Sequence, residues 1–118
     1  MKILLFEDDR TMRSILTTLL QLEGFEVVSI SFNPNVDYVQ AVRDEIPDIL
    51  LLDVHLRDLN GFDVLKNLRD DPTTRQTRIV MTSGMDLRDQ CKAAGADGFI
   101  LKPYMPDELI QTLKDQLV

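Results

Sequence analysis

The chain has 118 residues, which predicts a single domain with one hydrophobic core. Its 13 basic and 20 acidic residues give a net charge of −7, which argues against direct nucleic-acid binding because phosphate contacts need clustered lysine and arginine. The single cysteine, Cys91, excludes an internal disulfide, and no apolar run matches a signal-peptide core or a membrane span, so a cytoplasmic location is expected.

Short apolar runs of strand length alternate along the chain with stretches in which apolar residues recur at helical spacing. The third run is apolar at every position, which predicts a central strand that is covered on both faces of a parallel sheet. The predicted strands, in chain order, are residues 3–6, 27–30, 49–52, 79–81 and 98–101.

Amphipathic helices are predicted after each of these strands. Gly24 is expected to end the first helix, and Pro106 suits the first position of the last one. Turns are predicted at residues 33–35 and at Asn60–Gly61. The apolar residues of the helices, in chain order, are Met12, Ile15, Leu16, Leu19 and Leu20; Val36, Val39 and Val42; Phe62, Leu65 and Leu68; Leu87, Cys91 and Ala94; and Leu109, Ile110, Leu113 and Leu117.

Residues 70–78 are polar, contain Pro72 and offer no apolar anchor, so they are predicted to form a loop. The alternation of strands and helices elsewhere predicts a parallel sheet with helices on both faces and right-handed crossovers. Ligands of such open sheets bind at the carboxyl ends of the strands. The residues that directly follow the predicted strands are therefore the candidates for a functional site.

Acidic, hydroxyl and basic side chains follow four of the strands: residues 7–9 (Glu-Asp-Asp), Asp53, Thr82 with Ser83, and Lys102. Two like charges about 4 Å apart cost roughly 4 kcal/mol at an effective dielectric near 20, so clustered carboxylates need a proton or a cation. Mg²⁺ suits such a site because it binds oxygen ligands and phosphate. Asp53 is then placed to form an aspartyl phosphate, with the metal, Lys102 and Thr82 stabilising the transferred charge.

Four segments together resemble a response-regulator receiver domain of the CheY-like kind: LLFEDDRTMR, ILLLDVHLRDLNGFDVL, IVMTSG and GADGFILKPY. Each motif is weak alone, but their order on successive strand ends is specific. The resemblance covers roughly residues 2–117, so the whole chain, 1–118, is expected to be one receiver domain. It implies a flavodoxin-like (βα)5 three-layer sandwich with a five-stranded parallel sheet in the order 2-1-3-4-5.

The resemblance implies a role for each matching position around the acceptor. Asp53 would be the phosphoacceptor, with Thr82 and Lys102 as its catalytic partners. Thr82 would turn toward the phosphoryl group, and the ring of Phe99 would move inward with it as the second switch residue. The Lys102–Pro103 peptide bond is often cis in the family, against a general frequency of about 5–6% for such bonds.

The implied Mg²⁺ site uses the acidic residues after the first strand. Asp8 would bind the metal directly and Glu7 through water, together with Asp53 and the backbone carbonyl of His55. The acidic pair can also be read as Asp8–Asp9, because three acids stand in a row. The position of the following helix favours Glu7–Asp8.

The chain departs from the common pattern of the family near Asp53. Arg57 stands where proline is frequent, which would either loosen the loop or bring a positive charge near the phosphoryl group. Asn60 replaces a frequent aspartate. His55 and Gly84 occupy positions where the family tunes the lifetime of the phosphoryl group, so that lifetime is left open.

The resemblance implies a phosphorylation-activated signalling switch. A sensor histidine kinase or phosphotransfer protein would supply the phosphoryl group, and the surface of the fourth helix, fifth strand and fifth helix would control a downstream protein or a fused output domain. The chain would catalyse only its own phosphorylation and dephosphorylation, rather than act as an enzyme on other substrates. A monomer or a phosphorylation-dependent dimer is expected.

Three other functions would each depend on specific residues of this chain. A phosphohydrolase of the haloacid-dehalogenase class needs a second aspartate two residues after the nucleophile, where His55 stands. A flavin carrier of the flavodoxin type needs a hydroxyl- and glycine-rich loop after the first strand, where residues 7–9 would repel phosphate. A binding module that works without phosphorylation fits the same fold; the presence of Asp53, Asp8, Thr82 and Lys102 argues against it without excluding it.

Purely structural roles are also open to the same residues. Asp53 alone could cap a turn, and residues 7–9 could be a solvated acidic turn. Thr82 could be a simple strand former, and Lys102 a surface lysine. Only their combination on successive strand ends favours the functional interpretation.

Overall fold

Within the described residues, the strands form one five-stranded sheet and one short two-stranded ladder. The computed structural model describes residues 1–30 and 36–117, so the turn predicted at residues 33–35 lies outside the described residues. In chain order the strands are β1 (Lys2–Phe6), β2 (Glu26–Ile30), β3 (Ile49–Asp53), β4 (His55–Leu56), β5 (Leu59–Asn60), β6 (Arg78–Ser83) and β7 (Gly98–Leu101).

The large sheet is parallel, with the order β2-β1-β3-β6-β7. Because β4 and β5 pair only with each other, this is the predicted order 2-1-3-4-5 when the strands of the large sheet alone are counted. The flavodoxin-like (βα)5 prediction is thereby confirmed. The central strand β3 is buried along its whole length, as the continuous apolar run predicts.

Each predicted helix is present, and the strands of the large sheet differ from their predicted ranges by at most two residues at either end. Asp9 caps the first helix, since its carboxylate accepts a hydrogen bond of 2.9 Å from the backbone N–H of Met12. Gly24 follows the end of this helix with φ +93°, a conformation that only glycine adopts readily. The helices are α1 (Arg10–Leu22), α2 (Tyr38–Glu45), α3 (Gly61–Asp70), α4 (Arg88–Ala94) and α5 (Pro106–Asp115).

The core consists of two apolar clusters, one on each face of the sheet, because successive strand side chains point to opposite faces. The cluster under α1 and α5 contains Ile3, Leu5, Leu16, Leu20, Phe25, Ile49, Leu51, Val80, Ile100, Leu109 and Leu113. The cluster under α2, α3 and α4 contains Leu4, Phe6, Val42, Leu50, Leu52, Val54, Leu56, Val64, Leu65, Leu68, Ile79, Met81 and Cys91.

The polar loop between α3 and β6 is held by hydrogen bonds instead of apolar side chains. The guanidinium of Arg69 donates to the backbone carbonyls of Arg75 (2.8 Å), Thr77 (2.6 Å) and Gly95 (3.0 Å). It also pairs with the carboxylate of Asp97 at 2.9 Å. Arg69 therefore ties the loop to the turn before β7, which explains how a segment without an apolar anchor keeps its shape.

None of the helices within residues 1–30 and 36–117 combines the length and the apolar character that crossing a membrane requires.

Replacing Arg69 by alanine tests whether its hydrogen bonds hold the loop between α3 and β6. We expect Arg69→Ala to lower the free energy of unfolding by about 2 kcal/mol, because several backbone carbonyls lose a charged donor. Urea unfolding at neutral pH measures the change. The control is Lys66→Ala, which breaks an exposed ion pair with Asp70 on the same helix and should cost less than about 0.5 kcal/mol. Equal effects of the two variants would contradict the role assigned to Arg69.

Candidate functional site

The carboxyl ends of β1, β3, β6 and β7 lie side by side at one edge of the sheet. Asp53 at the end of β3 pairs in register with Thr82 on β6. The backbone N–H of Lys102 donates to the carbonyl of Ser83 at 2.8 Å, which places the lysine directly beyond the end of β7. Glu7 directly follows β1 on the other side of β3. The strand-end residues predicted from the sequence are thus brought to one edge.

Lys102 and Asp53 make the closest charged contact of the site. The Nζ atom of Lys102 lies 2.6 Å from Oδ2 of Asp53 and 3.5 Å from Oε2 of Glu7. The two carboxylates are almost fully buried, with Asp53 8% and Glu7 6% exposed. Since burial reduces solvent screening, one ammonium group is shared between two acids in a poorly hydrated pocket.

The pKa values of the site reflect this crowding. Burial raises the pKa of the Glu7 carboxyl, and a hydrogen bond from the N–H of Asp9 and the charge of Lys102 offset the rise only in part. Burial alone would lower the pKa of Lys102, but the hydrogen bond to Asp53 and the charges of Asp53 and Glu7 outweigh it and raise that pKa. Lys102 is therefore held in its charged form.

The backbone that follows β3 donates hydrogen bonds to the acidic residues. Oδ1 of Asp53 accepts from the N–H of His55 at 3.0 Å, and Oδ2 of Asp8 accepts from the N–H of Arg57 at 2.5 Å. Asp9, by contrast, uses its carboxylate to cap α1. The geometry therefore favours Glu7–Asp8 over Asp8–Asp9 as the acidic pair of the site.

The donor set of this edge fits Mg²⁺ in its chemistry. Carboxylate oxygens of Glu7, Asp8 and Asp53 and the carbonyl of His55 are hard oxygen donors, which Mg²⁺ prefers. Within the described ranges, the side chains of His, Cys, Asp and Glu nowhere form a group of three that could hold a metal ion. Mg²⁺ is usually bound by only one or two carboxylates and keeps several waters, so its requirements differ from those of an all-protein cage.

Thr82 and Phe99, the predicted switch residues, lie on neighbouring strands. Thr82 is 3% exposed beside Asp53, whereas the ring of Phe99 on β7 is half-buried. The guanidinium carbon of Arg88 lies 5.7 Å from the centre of the Phe99 ring, within the range of a cation–π contact. His55 and Gly84 are exposed at the rim. The Lys102–Pro103 peptide bond is cis, as the resemblance implied.

Gly61 is a positioning residue of the site that the sequence pattern indicated only as part of a turn. Its N–H donates to the carbonyl of Val54 at 2.7 Å. A Cβ atom at this position would lie 2.5 Å from the backbone oxygen of Asp53 and 2.7 Å from the Cα of Val54. Helix α3 can thus begin directly against the acceptor strand only because residue 61 has no side chain.

Tyr104 is a second residue that the sequence pattern did not single out. It lines a cavity of about 10 Å³ together with Glu7, Asp53 and Thr82, which is the size of one water molecule. Burial raises the pKa of the Tyr104 hydroxyl, with the charge of Lys102 acting against that rise. The lysine–proline–tyrosine sequence after β7 thus places a phenol beside the charged pair.

Comparison with known proteins gives one consistent result. The family model described as response regulator receiver domain matches residues 3–114. The DNA-binding response regulator MtrA of Mycobacterium tuberculosis (strain ATCC 25618 / H37Rv) is 34% identical over an alignment 118 positions long, which covers 98% of this chain and 50% of that protein. The chain thus spans about half the length of the curated relatives it matches.

Solved structures match over almost the whole chain. The signal receiver domain of a response regulator from Bermanella marisrubri is 28% identical, with a TM-score of 0.89 and coverage of 99% of this chain and 98% of that one. The receiver domain of the sensor histidine kinase PA1611 from Pseudomonas aeruginosa PAO1, at 23% identity, shares the fold with a TM-score of 0.85 over 98% and 96% of the two chains. That protein holds a magnesium ion coordinated in its active site cleft.

A methyl group at residue 61 tests the close approach of α3 to the acceptor strand. We expect Gly61→Ala to lower the free energy of unfolding by about 1–3 kcal/mol, because backbone atoms must move apart. The amide resonances of Asp53 and His55 should shift at the same time. Gly84→Ala is the control, since a Cβ there meets no atom within 4 Å, and its stability should change by less than about 0.5 kcal/mol. Unshifted Asp53 and His55 resonances in Gly61→Ala would contradict the positioning role.

Proposed function

The chain belongs to the response regulator receiver domain family, and we propose that it is a signalling switch activated by phosphorylation of Asp53. The observation that carries this proposal is the partly buried contact of 2.6 Å between Lys102 Nζ and Asp53 Oδ2 at the carboxyl edge of the sheet. It places a nucleophilic carboxylate beside a cation, and that cation can pair with the phosphoryl oxygens once the phosphoryl group has been transferred.

The transfer itself needs little covalent chemistry from the protein. A carboxylate oxygen of Asp53 forms a bond to phosphorus, while the bond from phosphorus to the donor breaks and the donor takes the electron pair. With a phosphohistidine donor the leaving imidazole is neutralised by a proton, and with acetyl phosphate the leaving group is acetate. Lys102 then contacts the phosphoryl oxygens in place of the free carboxylate, and the Thr82 hydroxyl donates to them.

We propose that Glu7, Asp8, Asp53 and the backbone carbonyl of His55 hold a Mg²⁺ ion next to the acceptor. When bound, the ion neutralises charge on the transferring group. The hard oxygen donors on this edge support the assignment, as does the magnesium ion in the cleft of the PA1611 receiver domain. The N–H of Arg57 orients the Asp8 carboxylate for this task.

Phosphorylation changes the charge balance of the pocket and thereby biases the surface of α4, β7 and α5. The phosphoryl group adds about −1.5 to −2 charge beside Asp53. Thr82 would turn toward it, and the half-buried ring of Phe99 on the neighbouring strand would move inward with it. The contact between Phe99 and Arg88 at the start of α4 couples that ring to the helix.

The proposed partners are a sensor histidine kinase or phosphotransfer protein as donor, and a downstream protein or fused output domain as target. Relatives about twice as long as this chain support an output domain in the same polypeptide. Beside the acceptor, a groove of about 480 Å³ is lined mainly by apolar side chains, including Ile15, which is 55% exposed, and it reaches Lys102. A donor protein that covers Asp53 would bury this groove.

No separate substrate is proposed, since the chain would catalyse only the gain and loss of its own phosphoryl group. The active form would be a monomer or a phosphorylation-dependent dimer.

Incubation with acetyl phosphate and Mg²⁺ tests the proposal. Intact mass spectrometry should show one phosphoryl adduct that is lost at alkaline pH, because an acyl phosphate is labile to base. We expect no adduct in Asp53→Asn, and a strong decrease when a chelator removes the metal. Asp58→Asn is the control, because Asp58 is exposed on the neighbouring β4–β5 turn, and it should keep the adduct. An undiminished adduct in Asp53→Asn would exclude Asp53 as acceptor.

A further inference from the structure

The edge that must receive a phosphodonor is itself acidic. Glu7, Asp8 and Asp53 contribute three carboxylates, and the chain as a whole carries a net charge of −7. Lys102 is already shared between Asp53 and Glu7. With the Mg²⁺ of the proposed function bound, the charges of the three carboxylates, Lys102 and the ion roughly cancel, so the edge itself offers little attraction for a donor phosphoryl group of about −1.5 to −2 charge. A further cation near the mouth would supply that attraction.

Arg57 is an exposed basic residue whose backbone is hydrogen-bonded to this edge. Its N–H donates to Oδ2 of Asp8 at 2.5 Å. The β4–β5 ladder, with His55 opposite Asn60 and Leu56 opposite Leu59, sets the position of the two-residue tip. Leu56 is 6% exposed and anchors the tip in the core. The backbone of Arg57 is therefore held beside the Asp8 carboxylate, and its side chain extends from that position.

The guanidinium of Arg57 is also not engaged elsewhere. In the part of the chain that the structure describes, it forms neither an ion pair nor a side-chain hydrogen bond. Arg43 and Arg69, by contrast, are paired with Asp71 and Asp97. An arginine side chain stays charged at any physiological pH, so its attraction for a phosphoryl dianion acts across several ångströms without a direct contact.

We infer that Arg57 is a specificity-determining residue that recruits the dianionic phosphoryl group of the donor to the mouth of the site. This inference rests on the proposed function, since it concerns how the donor of that reaction is recognised. The shared chemistry of a phosphohistidine and a small acyl phosphate is a terminal dianionic phosphoryl group, so Arg57 serves both. It acts on encounter and binding, whereas Lys102 and Thr82 act on the transfer.

Saturation kinetics with acetyl phosphate test the inference. At low ionic strength and saturating Mg²⁺, we expect Arg57→Ala to raise the half-saturating acetyl phosphate concentration about three- to fivefold, as a unit charge acting on a dianion across a short distance in water would. The maximal rate should stay close to that of the wild type. Arg57→Lys should restore most of the loss, because it keeps the charge.

Arg75→Ala is the matched control. Arg75 is an exposed arginine in the loop before β6, at the opposite edge of the sheet, and its removal changes the net charge of the chain by the same amount. We expect wild-type kinetics from it. In about 1 M salt, where the screening length falls to roughly 3 Å, the difference between wild type and Arg57→Ala should largely disappear.

A titration with Mg²⁺, followed by NMR amide shifts, provides a readout that does not depend on phosphorylation. Arg57→Ala should bind Mg²⁺ at least as tightly as the wild type, since a nearby positive charge is lost while the N–H to Asp8 is kept. Weaker Mg²⁺ binding would mean damage to the metal site and would overturn the inference. So would equal half-saturation in wild type and Arg57→Ala, an equal loss in Arg75→Ala, or a loss that persists in high salt.

The two proposals fail in distinguishable ways. A wild-type chain that acquires no adduct overturns the proposed function and this inference with it. If the wild type is phosphorylated on Asp53 but its half-saturating acetyl phosphate concentration equals that of Arg57→Ala, only the inference is overturned.

Discussion

The ion pair between Lys102 and Asp53 is the interaction on which the account of this molecule depends. The two residues are 49 positions apart and meet at 2.6 Å because β3 and β7 flank the same strand, β6, and run in the same direction. The burial of β3 on both faces makes the end of that strand a rigid platform for Asp53. The strand order of the sheet is thus what turns separate charged residues into one site.

The same contact sets the energetics of the acidic edge. Buried carboxylates that share a single ammonium are unfavourable for the stability of the resting protein, but they favour the binding of a cation. Burial raises the pKa of Glu7, because the charged form of this carboxyl loses hydration at the edge. The hydrogen bonds from the backbone of His55 and Arg57 hold Asp53 and Asp8 in place without adding further side-chain charge.

Much of this arrangement follows from sequence. Apolar runs and helical spacing predict every strand of the large sheet and every helix, because burial patterns are local along the chain. The strand-end rule predicts which polar residues share an edge. Three features do not follow from such patterns: the short β4–β5 ladder, the contact of Arg57 with Asp8, and the approach of Gly61 to Asp53. Each depends on how backbone atoms of separate segments come together. The Asn60–Gly61 pair predicts a turn, but it does not predict how closely Gly61 packs against the end of β3.

Chemical trapping of the phosphorylated residue tests the central claim most directly. Borohydride reduces an acyl phosphate to an alcohol, so an aspartyl phosphate becomes homoserine, which peptide sequencing by tandem mass spectrometry can locate. After phosphorylation and reduction, we expect homoserine at position 53 and intact aspartate at positions 8 and 9. Homoserine at position 8 or 9, or a phosphorylated chain that yields no homoserine, would contradict it.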